Sequence, residues 1–485
     1  MIRNIKDSPL YPIVNPRSIA FFGASNRFAS MGTNQLSSLL SLGFEGKIYP
    51  IHPKEEQVQD LAAYKSVLDL PAIPDLAVMV LPTQVVPEAL EECGQKGIKR
   101  VVIVSGGFKE VGPQGTLLEE KIVGIANLYG MRFLGPNCIG VANPHHNYNI
   151  TFLPFVGRPG FIGMASQSGS FITQMFDYLA EFDLGFSAGI SVGNEANIDI
   201  VEAMEYLAAC PNTKVIALYI ESIRRGKAFI KAARKVVPHK PIVALYVGGS
   251  EAGKRAGFSH TGALAGPDKL YDGVFQQSGV IRANSITELF DFCWVLGSSA
   301  LPNGNNVIVQ THSGGPGAAA ADACSRAGLH LPTFSDKTLQ KLAPFVPHTG
   351  SANNPVDLTF TKNPLEYFDN IPRILLEEPG ADMLMVYFMA PKETIKRAMV
   401  AMGIAEDQVD NLTQKLYDDQ AKAIAALRKK YAKPIIGFSF HNRQNPMLQK
   451  LQANHIPALP SPSRAARAMA ALVDYAAFRQ EIIQQ

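Results

Sequence analysis

Short apolar segments recur along this chain, and several of them stop at Gly or Ser just before a stretch with helical spacing. Segments of this kind carry no polar face, so they cannot lie on a half-solvated sheet. They fit a parallel sheet covered by helices on both sides. Residues 17–22 form such a segment and run into Gly23-Ala24-Ser25. Residues 47–51, 76–80, 101–104 and 131–134 repeat the pattern, with helical stretches at 34–42, 87–96 and 117–128 between them. The order predicts a Rossmann-like α/β domain over residues 1–145.

The rest of the chain reads as a duplication. A strand at 160–165 ends at Ser166-Gln167-Ser168-Gly169, and one at 306–310 ends at Ser313-Gly314-Gly315. Each is followed by a second strand (215–220; 383–388), then by a helix rich in Ala, Lys and Arg, then by Lys-Pro-Ile opening a further strand. Two copies of one order predict two similar α/β domains, 146–300 and 301–485.

Composition excludes several classes. Apolar residues are 47% and charged residues 18%, enough apolar content for packed cores. The net charge of +3 is too small and too evenly spread for a nucleic-acid footprint. No apolar run reaches the roughly 18 residues a bilayer crossing needs, and no signal peptide is visible. Cys93, Cys138, Cys210, Cys293 and Cys324 are scattered without a C-x-x-C pair, which argues against disulfides and a zinc site. The expectation is a cytoplasmic protein.

Four groups of residues point to chemistry. Gly23-Ala24-Ser25-Asn26 closes the first strand and lets a phosphate approach a helix N-terminus; the alternative is a tight turn only. The second strand leads into His52-Pro53-Lys54, where a nicotinamide enzyme would carry an acid. Lys54 suits a ligand with an additional phosphate, such as coenzyme A, or is a solvated charge. The glycine-rich stretch 248–266 places His260 among Lys254, Arg255, Ser259 and Thr261, so its imidazole is a candidate nucleophile for a phosphoryl group. Ser166, Gln167, Ser168 and Gly169 make an anion site at a helix N-terminus, or Ser simply caps the helix; at Ser313 the cap is the expected reading. Glu221 follows the strand 215–220, at the carboxyl edge where it could hold an imidazole N–H, or it is a surface acid beside Arg224 and Arg225.

Taken together these residues resemble the α-subunit of the NDP-forming acyl-CoA synthetases, relatives of succinyl-CoA synthetase. Ser259-His260-Thr261-Gly262-Ala263-Leu264-Ala265-Gly266 is similar to the phosphohistidine loop of that family. Pro16-Arg17-Ser18-Ile19-Ala20, Gly135-Pro136-Asn137-Cys138, Gln167-Ser168-Gly169, Ser191-Val192-Gly193-Asn194-Glu195 and Asn354-Pro355-Val356-Asp357-Leu358 are further matches. The chain departs from the family at Tyr246 and Gly249, where Lys and Arg are frequent, at Asn197 for Asp and at His312 for Asn.

The resemblance implies a CoA-binding Rossmann-like domain followed by two flavodoxin-like domains. It assigns phosphorylation to His260 and its hydrogen-bonding acid to Glu221. It places coenzyme A against Gly23, Ala24, Ser25, Asn26, Lys54, Val80, Pro82, Ser105, Gly106 and Phe108, with the thiol near Asn137. Phosphate falls to Ser166, Gln167, Ser168 and Gly169, with Ser259, Thr261 and Gly262 beside the histidine. The implied reaction is acyl-CoA + phosphate + ADP ⇌ carboxylic acid + CoA + ATP, acetyl-CoA being the default substrate. No ATP-grasp segment is recognisable, so ADP/ATP and Mg2+ are expected on an ATP-grasp β-subunit in an α2β2 assembly, with no metal site in this chain. The alternative is a CoA-binding acyl-transfer or CoA-sensing protein of the same fold without nucleotide chemistry.

Overall fold

The computed structural model describes residues 4–27, 30–155, 158–250, 253, 266–361, 365–389 and 391–484. The chain forms two compact units, Met1–Ser285 and Ile286–Gln485.

The first unit holds two large sheets and a two-stranded antiparallel hairpin, Gln57–Val58 with Leu61–Ala62. One has five parallel strands in the spatial order Lys47–Ile51, Ser18–Phe22, Leu76–Met79, Arg100–Ile103, Arg132–Leu134. Counted along the chain that order is 2-1-3-4-5. Four of the strands are buried through most of their length, as their lack of a polar face requires. Their core includes Phe22, Met79, Val101, Ile103, Phe108 and Phe133.

The other sheet of this unit repeats the order. Its parallel strands are Ile281–Ala283, Ile242–Tyr246, Val215–Ile220, Ile162–Ser166 and Phe186–Ser191. Two antiparallel strands, Val141–Asn143 and Tyr148–Asn149, extend it beside Phe186–Ser191. The chain therefore joins the second sheet by residue 141. The strand Phe186–Ser191 has no clear sequence signal, because Ser187, Gly189 and Ser191 dilute its apolar content, yet all six residues are buried.

The second unit carries five parallel strands, Val356–Asp357, Val307–Thr311, Met383–Tyr387, Ile435–Phe438 and Ala458–Leu459, again in the order 2-1-3-4-5. Its core gathers Ile308, Tyr367, Leu384, Val386, Phe388 and Ile424. The helix Ile286–Ser298 belongs to this unit and is joined to the helix Pro462–Gln484 by the bidentate Arg464–Asp291 pair, both bonds 2.7 Å.

An order of 2-1-3-4-5 has one topological switch point, between the first and third strands. The crevice beyond their carboxyl ends is where such sheets bind ligands. Each sheet of this chain thus has one predetermined address: Gly23 and Val80, then Gln167 and Glu221, then His312 and Phe388. Among the described residues no helix is long and apolar enough to cross a membrane, and all five cysteines are free thiols and buried.

Candidate functional site

At the first switch point Gly23 has φ +90, and a Cβ there would overlap the carbonyl oxygen of Val80. The fold requires glycine at this position before any ligand is considered. The helix Met31–Ser41 begins beside it, close enough that Gly32 also leaves no room for a side chain against the Gly23 carbonyl. Ala24 is buried. The Ser25 N–H and hydroxyl meet Thr33 Oγ1 at 3.1 and 3.2 Å. Asn26 donates to the Gln57 carbonyl and accepts from the Gln59 N–H, both at 2.9 Å. The side chains of this turn are thus occupied in shaping it. Lys54 stands exposed, on a turn whose N–H groups at Lys54 and Glu55 bond to His52 Nδ1 at 3.3 and 2.9 Å.

The neighbouring loops are equally bound up. Ser105 Oγ donates to the Leu81 carbonyl at 2.6 Å and accepts the Leu81 N–H at 3.1 Å, tying two strand ends together beside Val80 and the exposed Pro82. Gly106 is exposed, and its missing side chain leaves room for Asn137 Oδ1. The Phe108 ring is fully buried in the core and its N–H bonds to Glu110 at 3.2 Å. The Ser105 and Phe108 side chains are both committed to the protein itself. Asn137 sits at φ +58, its N–H on the Ser105 carbonyl at 2.8 Å and its amide nitrogen 3.3 Å from Asn194 Oδ1.

The second switch point is built from a set of interlocking hydrogen bonds. Ser166 Oγ donates to the Ser168 carbonyl at 2.6 Å and closes the turn into the helix Gly169–Glu181. Ser168 is the N-cap, but its hydroxyl makes no capping bond. Gln167 reaches across to the end of the strand Val215–Ile220. Its Oε1 accepts the N–H groups of Glu221 and Ser222 at 2.6 and 2.9 Å, while its Nε2 donates to the Ser222 carbonyl and to Glu195 Oε2, both at 2.8 Å. Glu221 itself is half-buried on this turn. The Ile223 N–H is held by the Tyr271 hydroxyl at 3.1 Å.

In the sequence Asn194 and Glu195 stand out only as part of a motif matching the family. The structure places them at the join of the two sheets. Glu195 is 8% exposed, and burial pushes its carboxyl up to about 7. Asn194 donates to Glu110 and Glu119 at 2.6 and 2.9 Å. Its carbonyl accepts from Lys109, which pairs with Glu119 at 3.5 Å; burial holds the Lys109 ammonium below its usual range. Arg224 donates to the Glu195 carbonyl at 3.3 Å. The one available signal was Gly193, whose φ of +55 and close approach to the Pro136 and Asn137 carbonyls demand glycine.

His260, with Lys254, Arg255, Ser259, Thr261 and Gly262, lies outside the described residues. The flanks of that segment are described. Tyr246 stacks on Tyr271 with centroids 3.5 Å apart, and its hydroxyl donates to the Gly266 carbonyl at 2.8 Å. A Cβ at Gly249 would collide with Asp268, which pairs with Arg282 at 2.6 Å. Asn197 accepts from Arg132 Nε at 2.7 Å and from the Phe133 N–H at 3.2 Å. These departures from the family pattern have structural reasons of their own.

At the third switch point the Ser313 hydroxyl makes no capping bond, which corrects the expected side-chain cap. His312 stacks on Tyr367 at 3.5 Å, and burial lowers its imidazole to about 4. Among the described residues no group of three or more His, Cys, Asp and Glu side chains is placed to hold a metal ion.

Comparison with known proteins agrees with this geometry. The profile of a CoA binding domain matches residues 17–144, that of a succinyl-CoA ligase-like flavodoxin domain residues 159–296, and that of a Ligase-CoA domain residues 307–431. The α-subunit of acetate–CoA ligase [ADP-forming] II of Pyrococcus furiosus is 42% identical over 377 residues, covering 78% of this chain and 82% of that protein. The α-subunit of the ligase I of the same organism is 36% identical over 474 residues, 97% and 98% of the two chains. A solved dinucleotide-forming acetyl-coenzyme A synthetase 1 of Ca. Korarchaeum cryptofilum, in complex with phosphate and ADP, superposes with a TM-score of 0.85 at 33% identity, over 98% of each chain.

Proposed function

The chain belongs to the α-subunits of the ADP-forming acyl-CoA synthetases, and from that premise we propose how its residues divide the work of an acid–CoA ligase. The reaction is acyl-CoA + phosphate + ADP ⇌ carboxylic acid + CoA + ATP, with acetyl-CoA as the first substrate to try. The observation that supports the proposal is the second switch point, where the N-terminus of the helix Gly169–Glu181, free of a side-chain cap bond, is tied through Gln167 to the strand-end turn that carries Glu221.

The work falls to three domains, residues 1–145, 146–300 and 301–485. Coenzyme A lies along the first switch point. The backbone of Gly23, Ala24, Ser25 and Asn26 lines the pyrophosphate path, and Lys54 offers its ammonium to the additional phosphate. Val80, Pro82 and Gly106 border the chain of the cofactor. Ser105 and Phe108 support these loops from within, and Asn137 borders the thioester end. Phosphate binds at the N–H groups following Ser168, with Ser166 and Gln167 shaping the turn.

A phosphate oxygen attacks the thioester carbonyl carbon, the C–S bond breaks, and CoA leaves as the thiol after taking a proton. An imidazole nitrogen of His260 then attacks phosphorus in the acyl phosphate, and the carboxylate departs. Glu221 accepts the other imidazole N–H, which fixes the tautomer and steadies the cationic phosphohistidine. Ser259, Thr261 and Gly262 supply hydrogen bonds beside it. ADP takes the phosphoryl group on a second, ATP-grasp subunit of an α2β2 assembly in the cytoplasm, and Mg2+ accompanies the nucleotide there. Positioning and charge stabilisation account for most of the catalysis in such transfers.

The test is to incubate the protein with labelled phosphate and acetyl-CoA and look for label that is acid-labile and base-stable. His260→Ala should carry none. Label retained by that variant, or no label on the wild type with a series of acyl-CoAs, overturns the proposal and favours an acyl-transfer or CoA-sensing role. Co-purification of an ATP-grasp subunit tests the assembly.

A further inference from the structure

The tripeptide Gly193-Asn194-Glu195 has no part in the chemistry above, yet it touches both ends of it. Gly193 is wedged against the carbonyls of Pro136 and Asn137, and Asn194 Oδ1 meets the Asn137 amide. Glu195 follows at φ +54 and directs both carboxylate oxygens at N–H donors. Oε1 takes the Ile200 N–H at 2.7 Å, at the start of the helix Ile200–Ala209, and Oε2 takes Gln167 Nε2 at 2.8 Å.

A primary amide has nearly the same shape in both orientations, so its hydrogen-bond partners decide which end is oxygen. At Gln167 the oxygen must face the Glu221 and Ser222 N–H groups, and the nitrogen must face two acceptors. One acceptor is the Ser222 carbonyl; the other is Glu195. We propose that Glu195 is a positioning residue: acting through Gln167, it holds the backbone turn that aims Glu221. The inference rests on the reading above, in which Glu221 serves His260.

The choice of glutamate over glutamine follows from counting acceptors. Two N–H groups converge on the side chain, and a carboxylate accepts both, whereas an amide accepts one and turns its own NH2 toward the other. Protonation has the same effect as the amide. Arg224, Lys109, Asp199 and Tyr271 are the charged and titratable groups facing this carboxyl.

The experiment uses the full chain with whatever subunit co-purifies, and follows phosphoenzyme formation from acetyl-CoA and labelled phosphate on the millisecond scale. Glu195→Gln should slow that step by about 10- to 100-fold, the scale expected of a misplaced catalytic group. The KM for acetyl-CoA should stay within about twofold of the wild type. The wild-type rate should fall as pH drops through about 7, and the variant should lose that limb, which a merely structural role would leave in place. In a Gln167→Ala background the same substitution should add little, because the path is already cut. Glu195→Asp, which keeps both acceptors on a shorter arm, should fall between and serves if Glu195→Gln is poorly folded. Full-rate phosphorylation in folded Glu195→Gln, or an undiminished effect in the Gln167→Ala background, overturns the inference. Glu221→Gln separates the two levels. If it is also fully active, the reading of Glu221 fails; if it alone is slow, only the role of Glu195 fails.

Discussion

Ser166 in the first compact unit and Thr311 in the second make the same local bond. Each hydroxyl donates to the carbonyl two residues ahead, at 2.6 and 3.0 Å, and each turn releases the chain into a thirteen-residue helix whose cap serine makes no side-chain bond. The residue between differs, and so does its company. Gln167 extends sideways to the next strand and is held by four hydrogen bonds to Glu195, Glu221 and Ser222. His312 lies flat on Tyr367 and is neutral by burial. The two turns are alike in backbone form and in lacking a side-chain cap bond. At the first, Gln167 ties the turn to the strand end that carries Glu221; at the second, Asp357 of the paired strand Val356–Asp357 stands against Gly314, its Oδ1 held by Thr359, and His312 makes no such tie. The lesson is that a strand-to-helix turn of this kind is a scaffold element, and its middle residue decides which neighbouring strand end it is tied to.

The largest expected contrast comes from replacing the middle residue of each turn. Gln167→Leu leaves the Glu221 and Ser222 N–H groups and Glu195 without their partner. It should lower phosphoenzyme formation by about 100-fold or more and destabilise the first unit by about 3 kcal/mol. His312→Leu breaks only a stacking contact and should leave that rate within about tenfold, a change of about 1.4 kcal/mol or less in barrier. Equal losses in the two variants, measured by label incorporation and urea unfolding, would erase the distinction between the turns.

The two units should also respond to pH with opposite sign. The Glu195 carboxyl is raised from 4.5 to about 7, so its contribution to stability is complete below about 4.5 and is lost as pH rises through 7. The His312 imidazole is lowered from 6.5 to about 4, so its contribution is present above 6.5 and is lost as pH falls through 4. Each effect is up to about 3 kcal/mol. Denaturation midpoints of Glu195→Gln and His312→Phe across pH 4 to 8 read the two separately, and parallel pH profiles of wild type and variants would refute the assignment.

Backbone substitutions sharpen the contrast further. Gly23→Ala meets the Val80 carbonyl at a positive φ and should cost about 2 kcal/mol, with weaker CoA binding by calorimetry. Gly315→Ala faces open space inside a helix and should stabilise the second unit by about 0.5 kcal/mol, the smallest effect of the set.

The strands that carry the site were legible because buried parallel strands have no polar face to disguise them. The strand expected at 215–220 occurs as Val215–Ile220, and that at 17–22 as Ser18–Phe22. Phe186–Ser191 and the antiparallel return through Val141–Asn143 were not legible, since small and polar residues make them look like loop. The serine cap expected at Ser313 was misread for a related reason. Ser at a helix start is usually its own cap, but here the preceding Ser166 and Thr311 take over the closing of the turn.

The sequence by itself determined the succession of strands, the three turns at their switch points and the positions where only glycine fits, because these follow from local burial and backbone geometry. It also displayed the motifs that tie the chain to its family. Tertiary structure alone decided which acid touches which amide. Gln167 meets Glu195 across 28 positions and Glu221 across 54, and hydrogen bonds at such separations leave no periodicity in a sequence. They exist only after two neighbouring strands have been brought to one edge, where a buried donor must find an acceptor or stay unsatisfied.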